Sequence, residues 1–161
     1  MRKGSSRQED TTGSTYTDLG AETEEAYRIS LASRTLARET VGNETPEDRV
    51  RQRCSVAVGD FSMAGLLRFV GDPVHAGLAA LADGAPIVTD IRMVEVGLQK
   101  RGHRSKVCCA LDYGAEIAVE RGITRTSAGF LALGNTLDHA IIVIGNAPSA
   151  LLAVCSLIDG G

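Results

Sequence analysis

Apolar side chains recur at close to helical spacing along the first half of the chain. They predict a helix from Glu22 to Glu39, whose other faces carry arginine and glutamate. The sequence Thr45-Pro46-Glu47-Asp48 predicts the start of a second helix, because it offers a cap, a proline at the first helical position and acids in the first turn. Asp72-Pro73 repeats this signal and predicts a third helix that ends at Asp83-Gly84.

Short apolar runs later in the chain predict buried strands that alternate with helices. The predicted strands are Pro86–Thr89, Val107–Leu111 and Ile141–Ile144. The helical stretches between them are Ile91–Gln99, Ala115–Arg121 and Thr126–Leu133. This alternation predicts an α/β fold, an open three-layer α/β/α sandwich whose central parallel sheet is covered by helices on both faces.

The first twenty residues differ in composition from the rest of the chain. Met1–Gly20 is rich in Ser, Thr and Gly and has scarcely any aliphatic residues, so it cannot bury enough apolar surface to offset the entropy of ordering. We therefore predict a flexible N-terminal tail at 1–20. The remaining residues, 21–161, are enough for one globular core and too few for two, which predicts a single domain.

Charge and hydropathy limit the classes of partner. The formal net charge is −3 and 23% of the residues are charged, so there is no general basic field to concentrate nucleic acid. No apolar run approaches the roughly 20 residues needed to cross a bilayer, and the first 20 residues contain no apolar export segment. We expect a soluble cytoplasmic protein with neither nucleic acid nor membrane as a partner.

The cysteines and histidines do not form a metal-binding pattern. No C-x-x-C or H-x-x-x-H spacing occurs, and the cysteines lack the density of a secreted disulfide framework. We expect no metal site and reduced, mostly buried thiols. The residues concerned are Cys54, Cys108, Cys109, Cys155, His75, His103 and His139.

The ends of the predicted strands are the candidate ligand sites, because ligands of such sheets bind outside the carboxyl ends of the strands. These ends are Thr89-Asp90, Leu111-Asp112 and Gly145-Asn146-Ala147-Pro148. In the last of them Pro148 suits the first turn of a final helix, whose free N–H groups would favour an anion. Any strand-to-helix turn has this pattern, so from the residues alone a binding turn and an ordinary connection remain equally open.

Three sequence blocks carry a resemblance to a known family. The segment IGNAPSAL within Ile141–Gly161 closely resembles the IGNAP-[TS]-AL segment of precorrin-8X methylmutases. Gly84–Leu98 resembles the family's GAPI-x-x-D-x-x-MV-x-x-G segment, and Gly122–Ala128 is similar to its G-x-TR-[ST]-A segment. The order and approximate spacing of the blocks agree from about Glu22 to the end of the chain.

The resemblance implies a flavodoxin-like fold and an isomerase of cobalamin biosynthesis. Members of the family move a methyl group of the corrin-type tetrapyrrole precorrin-8X from C-11 to C-12 and release hydrogenobyrinic acid, without a dissociable cofactor. The anaerobic branch performs the same shift on the cobalt-containing ring. Family members work as homodimers with a site between subunits, so the expected partners are this substrate, this product and a second copy of the chain.

The resemblance also assigns substrate-binding residues. Ser30 lies in AYRISLAS, which is similar to a family segment with a substrate-contacting serine, and Arg53 falls on a substrate-contacting arginine. Arg125 and Asn146 match family motif positions that we expect near the ligand. The alternatives are that Ser30 is a small residue on a helix surface and that Arg53 is one of several solvated charges.

Two neighbouring residues are interpreted from the pattern itself. Asp90 follows a strand, where it could orient a ligand or cap the helix beginning at Ile91, and capping is favoured. Met93 is expected to fill the core.

The chain departs from the family pattern at its predicted catalytic position. In the same register Val56 stands where family members have their proton-donating histidine, and valine cannot transfer a proton. The family usually continues with a further strand beyond Asp159-Gly160, so we expect a C-terminally truncated domain. Two alternatives to the isomerase therefore stay open, a non-catalytic corrinoid-binding or degenerate homologue and a flavodoxin-like module for a phosphate-bearing ligand at Gly145–Pro148.

Overall fold

The computed structural model describes residues 23–98 and 102–160. The chain divides into two compact units, Met1–Phe69 and Val70–Gly161, and each is considered by itself. The tail predicted at 1–20 lies outside the described residues.

Two packed helices form the described part of the N-terminal unit. Helix α1 spans Glu24–Val41 and helix α2 spans Pro46–Val58, followed by a short 3-10 helix at Phe61–Leu66. The predicted start of α2 is confirmed, since Thr45 and Asp48 form a reciprocal capping box in which each side chain accepts a hydrogen bond from the other residue's N–H.

A buried glutamine fixes the loop between these two helices. Nε2 of Gln52 donates to the carbonyl oxygen of Gly42 and, at 3.2 Å, to Oδ1 of Asn43. Ala37 of α1 and Ser55 of α2 are fully buried where the two helices pack. The loop therefore folds α2 back along α1, which brings the first half of α1 to the same end of the hairpin as the second half of α2.

The C-terminal unit is a three-stranded parallel sheet with helices before, between and after its strands. Strand order is β2-β1-β3. The strands are β1 Ile87–Thr89, β2 Val107–Cys109 and β3 Ile141–Val143. The helices are α3 Pro73–Asp83, α4 Arg92–Gly97, α5 Ala115–Arg121, α6 Arg125–Leu133 and α7 Pro148–Gly160.

This architecture confirms the predicted α/β class and its parallel sheet. The bounds of α3 and α5 agree with the prediction, and the final helix begins at Pro148 as expected. Strand β2 is shorter than predicted because the apolar run continues into a 3-10 turn at Ala110–Asp112. Apolar character alone does not distinguish a buried strand from a buried turn.

The core of this unit lies between the central strand and the last two long helices. The buried residues Val88, Ala110, Phe130, Ala150 and Val154 form one cluster, and Phe130 is completely inaccessible to solvent. Side chains alternate between the two faces of a strand, so Ile87 and Thr89 of β1 face away from this cluster, and they too are buried. Burial of both faces is typical of a central strand in a parallel sheet.

Met93 does not fill the core, contrary to prediction. It lies in the first turn of α4 and its side chain is 74% exposed. Helix α4 is only six residues long, and within it Val94, the residue after Met93, is the one that lies close to Gly145. The apolar pattern identified the helix correctly and its buried face incorrectly.

Candidate functional site

The carboxyl ends of the three strands lie at one edge of the sheet, because all three strands are parallel. Asp90 follows β1, the turn Ala110–Asp112 follows β2, and Ile144–Ala147 connects β3 to α7. We call this set of three segments the carboxyl edge. Ligands of open α/β sheets bind at this edge, so its geometry is the first test of the predicted site.

Asp90 connects the end of β1 to the turn after β3. Its side chain is fully buried, and Oδ1 accepts a hydrogen bond of 2.8 Å from the N–H of Ile91. Oδ2 accepts a second one of 2.9 Å from the N–H of Gly145. The favoured prediction of a helix cap is wrong in its detail: Ile91 is the residue before α4, and the carboxylate binds no N–H within that helix.

Gly145 permits the close approach between this turn and helix α4. A Cβ atom at this position would lie 2.7 Å from Cγ2 of Val94 and 3.7 Å from Oδ2 of Asp90. Glycine has no Cβ and therefore leaves room for the Val94 side chain beside the turn. The turn therefore lies close to both a carboxylate and an aliphatic side chain.

A surface ion pair links the ends of β1 and β2. The guanidinium of Arg92 contacts the carboxylate of Asp112 and also that of Glu95, the latter at 2.7 Å. The side chains of Arg92 and Asp112 are both about half exposed, so this ion pair contributes little to stability. Its value is geometric, because it holds two loops of the carboxyl edge in one arrangement.

Helices α6 and α7 begin side by side at the same edge. Oγ1 of Thr124 shares a hydrogen bond of 3.0 Å with Oγ of Ser149, and Oγ of Ser127 donates to the carbonyl oxygen of Ser149 at 2.9 Å. Nη2 of Arg125 donates to the carbonyl oxygen of Leu111 at 2.9 Å. These bonds bring two helix N-termini, which favour negative charge, next to a guanidinium.

Two of the predicted binding residues are thus brought to one place. Arg125 is the first residue of α6, and Asn146 lies exposed in the turn that leads into α7. A guanidinium has five N–H donors, so its bond to Leu111 leaves capacity for a ligand carboxylate. Arg125 and Asn146 together present hydrogen-bond donors at the carboxyl edge.

The other predicted residues belong to the N-terminal unit. Ser30 is half-buried in the first half of α1, and Arg53 and Val56 are half-buried in the second half of α2. The helical hairpin places these three residues at the same end of the pair. Their roles in binding and catalysis remain predictions.

Several contacts at or beside the carboxyl edge were not predicted from the sequence. Thr124 carries a signal that could have been used, since a threonine before a helical run is a common N-cap and its hydroxyl does accept the N–H of Ser127. Ser149 and the pairing of Arg92 with Asp112 had no such signal. Both depend on contacts between segments distant in sequence.

Cys108 on β2 is a thiol whose surroundings lower its reactivity. Burial raises the pKa of this thiol above its ordinary value, partly offset by the nearby charge of Lys106 and a hydrogen bond with Tyr113. The nucleophile is the thiolate, so a raised pKa lowers the reactive fraction at neutral pH. In the described residues all four cysteines are free, and Cys155 is exposed, contrary to the expectation of mostly buried thiols.

We expect Cys108 to react with iodoacetamide more slowly than Cys155 at pH 7.5. Its rate should keep rising as the pH increases beyond 9, because the raised pKa delays formation of the thiolate. Peptide mass spectrometry after timed quenching measures both sites in one sample. Equal rates at pH 7.5 would contradict the assigned environment of Cys108.

The described residues contain neither a metal-binding cluster nor a helix that could span a membrane. Within 23–98 and 102–160, no three His, Cys, Asp or Glu side chains are arranged to hold a metal ion. No helix in that part of the chain has the length and apolar character required to span a bilayer.

Comparison with known proteins identifies relatives along most of the chain. The family model described as CbiC, precorrin-8X methylmutase, matches residues 28–161. Cobalt-precorrin-8 methylmutase of Methanocaldococcus jannaschii is 30% identical over 152 residues, which cover 87% of this chain and 70% of that protein. Precorrin-8X methylmutase of Pseudomonas aeruginosa is 32% identical over 139 residues, covering 84% of this chain and 67% of that protein.

A third relative and a solved structure agree with these matches. Cobalamin biosynthesis protein CbiHC of Archaeoglobus fulgidus is 31% identical over 142 residues, and the match spans 88% of this chain but only 29% of that protein. The crystal structure of precorrin-8X methylmutase from Thermus thermophilus superposes with a TM-score of 0.72 at 32% identity. That superposition covers 83% of this chain and 69% of the solved one.

Proposed function

Because this chain belongs to the precorrin-8X methylmutase family, we propose that it binds a corrin precursor and serves as a methylmutase of cobalamin biosynthesis. The reaction moves a methyl group from C-11 to C-12 of the ring and yields hydrogenobyrinic acid or its cobalt-containing equivalent. The observation that carries the proposal is the carboxyl edge, where Arg125 and Asn146 lie beside two adjoining helix N-termini.

The chemistry requires donors for the many carboxylates around the ring and a proton donor that polarises the ring during migration. Arg125 can give charge-assisted bonds to one carboxylate, and Asn146 can donate through its amide. The family resemblance also assigns Arg53 and Ser30, on the helical hairpin, to substrate binding. None of these groups needs to change its charge during the reaction, so they bind and orient.

The proton donor is the group in question, because Val56 occupies the position assigned to histidine. A valine side chain carries no exchangeable proton, which favours the second candidate function, a corrinoid-binding homologue with little or no turnover. The two candidates share the same ligand and differ only in catalysis. Separating them therefore requires a binding measurement and a rate measurement on the same protein.

The wider organisation is also proposed on the basis of the family. The matched range 28–161 includes parts of both compact units, which supports treating 21–161 as one methylmutase-like domain. The resemblance supports a homodimer with a site between subunits, which light scattering at several concentrations would test. A biosynthetic role supports the cytoplasm as its location.

The test of the proposed function is a titration followed by an assay. Hydrogenobyrinic acid added to the protein should shift its absorbance spectrum in a saturable way, and precorrin-8X should be converted, slowly because Val56 cannot donate a proton. Binding without conversion would favour the non-catalytic homologue. Saturable flavin or nucleotide binding in place of corrin binding would reject the proposal and favour a phosphate-binding module. Rapid turnover of precorrin-8X would reject the non-catalytic alternative.

Arg125→Ala should weaken the binding of hydrogenobyrinic acid by roughly ten- to a hundredfold, since charge-assisted hydrogen bonds contribute about 1.5–3 kcal/mol. The matched control is Arg121→Ala, which removes an exposed arginine from the end of α5 and should leave the affinity within about twofold. The absorbance titration measures all three proteins. Equal losses in both variants would mean that net charge, not a specific contact at Arg125, governs binding.

A further inference from the structure

The turn that carries Asn146 is held by the side chain of Asp90, which accepts a hydrogen bond that a backbone carbonyl would accept in a regular parallel sheet. The N–H of Ile141 donates to the carbonyl oxygen of Pro86 at 2.8 Å, and the N–H of Asp90 donates to that of Val143 at 3.2 Å. In a parallel ladder the next donor along β3 would be the N–H of Gly145, directed at the carbonyl oxygen of Asp90. In this protein that N–H donates to Oδ2 of the Asp90 side chain instead.

Because the N–H of Gly145 bonds to the Asp90 carboxylate and not to the backbone carbonyl, the chain turns away from the sheet at this point. The chain leaves the sheet at Gly145, where the carboxylate accepts the backbone N–H and the side chain of Val94 lies close to the position that a Cβ atom would occupy. Because Oδ1 of the same carboxylate is held by the N–H of Ile91, the group has two fixed bonds and little freedom to rotate. Burial excludes water that would compete for these two hydrogen bonds.

We infer that Asp90 is a positioning residue of the corrin site, which fixes the Gly145 turn and thereby the direction in which Asn146 offers its amide to the ligand. This inference rests on the proposed function for the identity of the ligand. Asp90 itself is fully buried, so it acts through the turn and not by contact with the ring. Binding sites gain affinity when such supporting bonds fix the contacting groups in advance.

The test compares Asp90→Asn with the control Thr89→Val in the same strand. An asparagine retains the shape but has only one oxygen, so one of the two N–H groups loses its acceptor. Thr89→Val removes a neighbouring buried side-chain bond, from Oγ1 to the carbonyl oxygen of Cys108 at 3.4 Å, without touching the turn. The two variants separate loss of stability from loss of positioning.

Two measurements are made on each protein. Amide hydrogen exchange at Gly145, followed by NMR in the absence of ligand, reports directly on the turn. We expect Asp90→Asn to speed this exchange by roughly tenfold or more and to weaken the binding of hydrogenobyrinic acid by about tenfold. Thr89→Val should leave both values within about twofold of the unmodified protein.

The outcomes are distinguishable. Affinity that is unchanged in Asp90→Asn, despite faster exchange at Gly145, would overturn the positioning role. If the unmodified protein does not bind hydrogenobyrinic acid, the proposed function fails, and the exchange rate at Gly145 still decides whether Asp90 fixes the turn. Unchanged exchange in Asp90→Asn overturns the inference in either case.

A second pair of variants covers the case in which Asp90→Asn does not fold. Gly145→Ala places a methyl group 2.7 Å from Cγ2 of Val94 and should displace the turn and weaken binding. Adding Val94→Ala removes the obstructing methyl group and should restore most of the affinity. Wild-type affinity in Gly145→Ala, or no recovery in the double variant, would count against a positioned turn.

Discussion

Replacing Val56 with histidine is expected to raise the rate of methyl migration by about 10²- to 10⁴-fold, the usual contribution of a general acid or base. The substitution supplies the one chemical group that the proposed reaction lacks. Val56 lies half-buried on α2, so an imidazole there would be partly shielded from solvent and still accessible. The initial rate of conversion of precorrin-8X to hydrogenobyrinic acid, followed by absorbance, measures the gain.

The matched control for this gain is Val58→His. Val58 is the last residue of the same helix and is 63% exposed, so the control adds the same side chain at a position where the resemblance assigns no role. The rate of Val56→His should fall as the pH rises through the pKa of the new imidazole, near 6.5 for an unperturbed histidine, because the proton-donating form is lost. No gain in a variant that still binds hydrogenobyrinic acid would mean that the assigned register is wrong.

Much of the fold could be predicted because its signals are local. The Thr45-Pro46 start of α2 and the Asp72-Pro73 start of α3 depend on residues that act within a single turn of helix. The alternation of short apolar runs with helices predicted the parallel sheet, since parallel strands need a crossover connection and a helix supplies it. Arg125 and Asn146 were found through motif blocks, and the structure places both at the carboxyl edge.

What could not be predicted depends on contacts across the chain. One bond of the Asp90 carboxylate is to the adjacent Ile91, but the other is to Gly145, 55 positions along the chain, and nothing near Asp90 in the sequence indicates that second bond. The exposure of Met93 depends on which face of a very short helix turns inward, which six residues do not specify. The division into two compact units likewise follows from the packing of whole elements.

Gly129→Ala is expected to lower the free energy of unfolding by about 2–4 kcal/mol, near the upper end of the range for overpacked cores. Gly129 is a buried residue of α6, and a Cβ atom there would overlap the carbonyl oxygen and carbon of Ala110. The obstructing atoms are backbone, in the turn directly after β2, and they cannot rotate away as a side chain would. Thermal and urea unfolding, followed by circular dichroism, measure the loss.

The control is Gly77→Ala, a glycine in α3 where an added Cβ atom would meet nothing within 4 Å. Alanine is favoured over glycine inside a helix by about 0.5–1 kcal/mol, so this variant should be neutral or slightly more stable. The two substitutions should change the free energy of unfolding in opposite directions, because backbone atoms lie beside the new methyl group at position 129 and not at position 77. If both variants unfold at the same urea concentration, helix α6 does not lie against the turn after β2, and the arrangement of Arg125 at the carboxyl edge would be wrong with it.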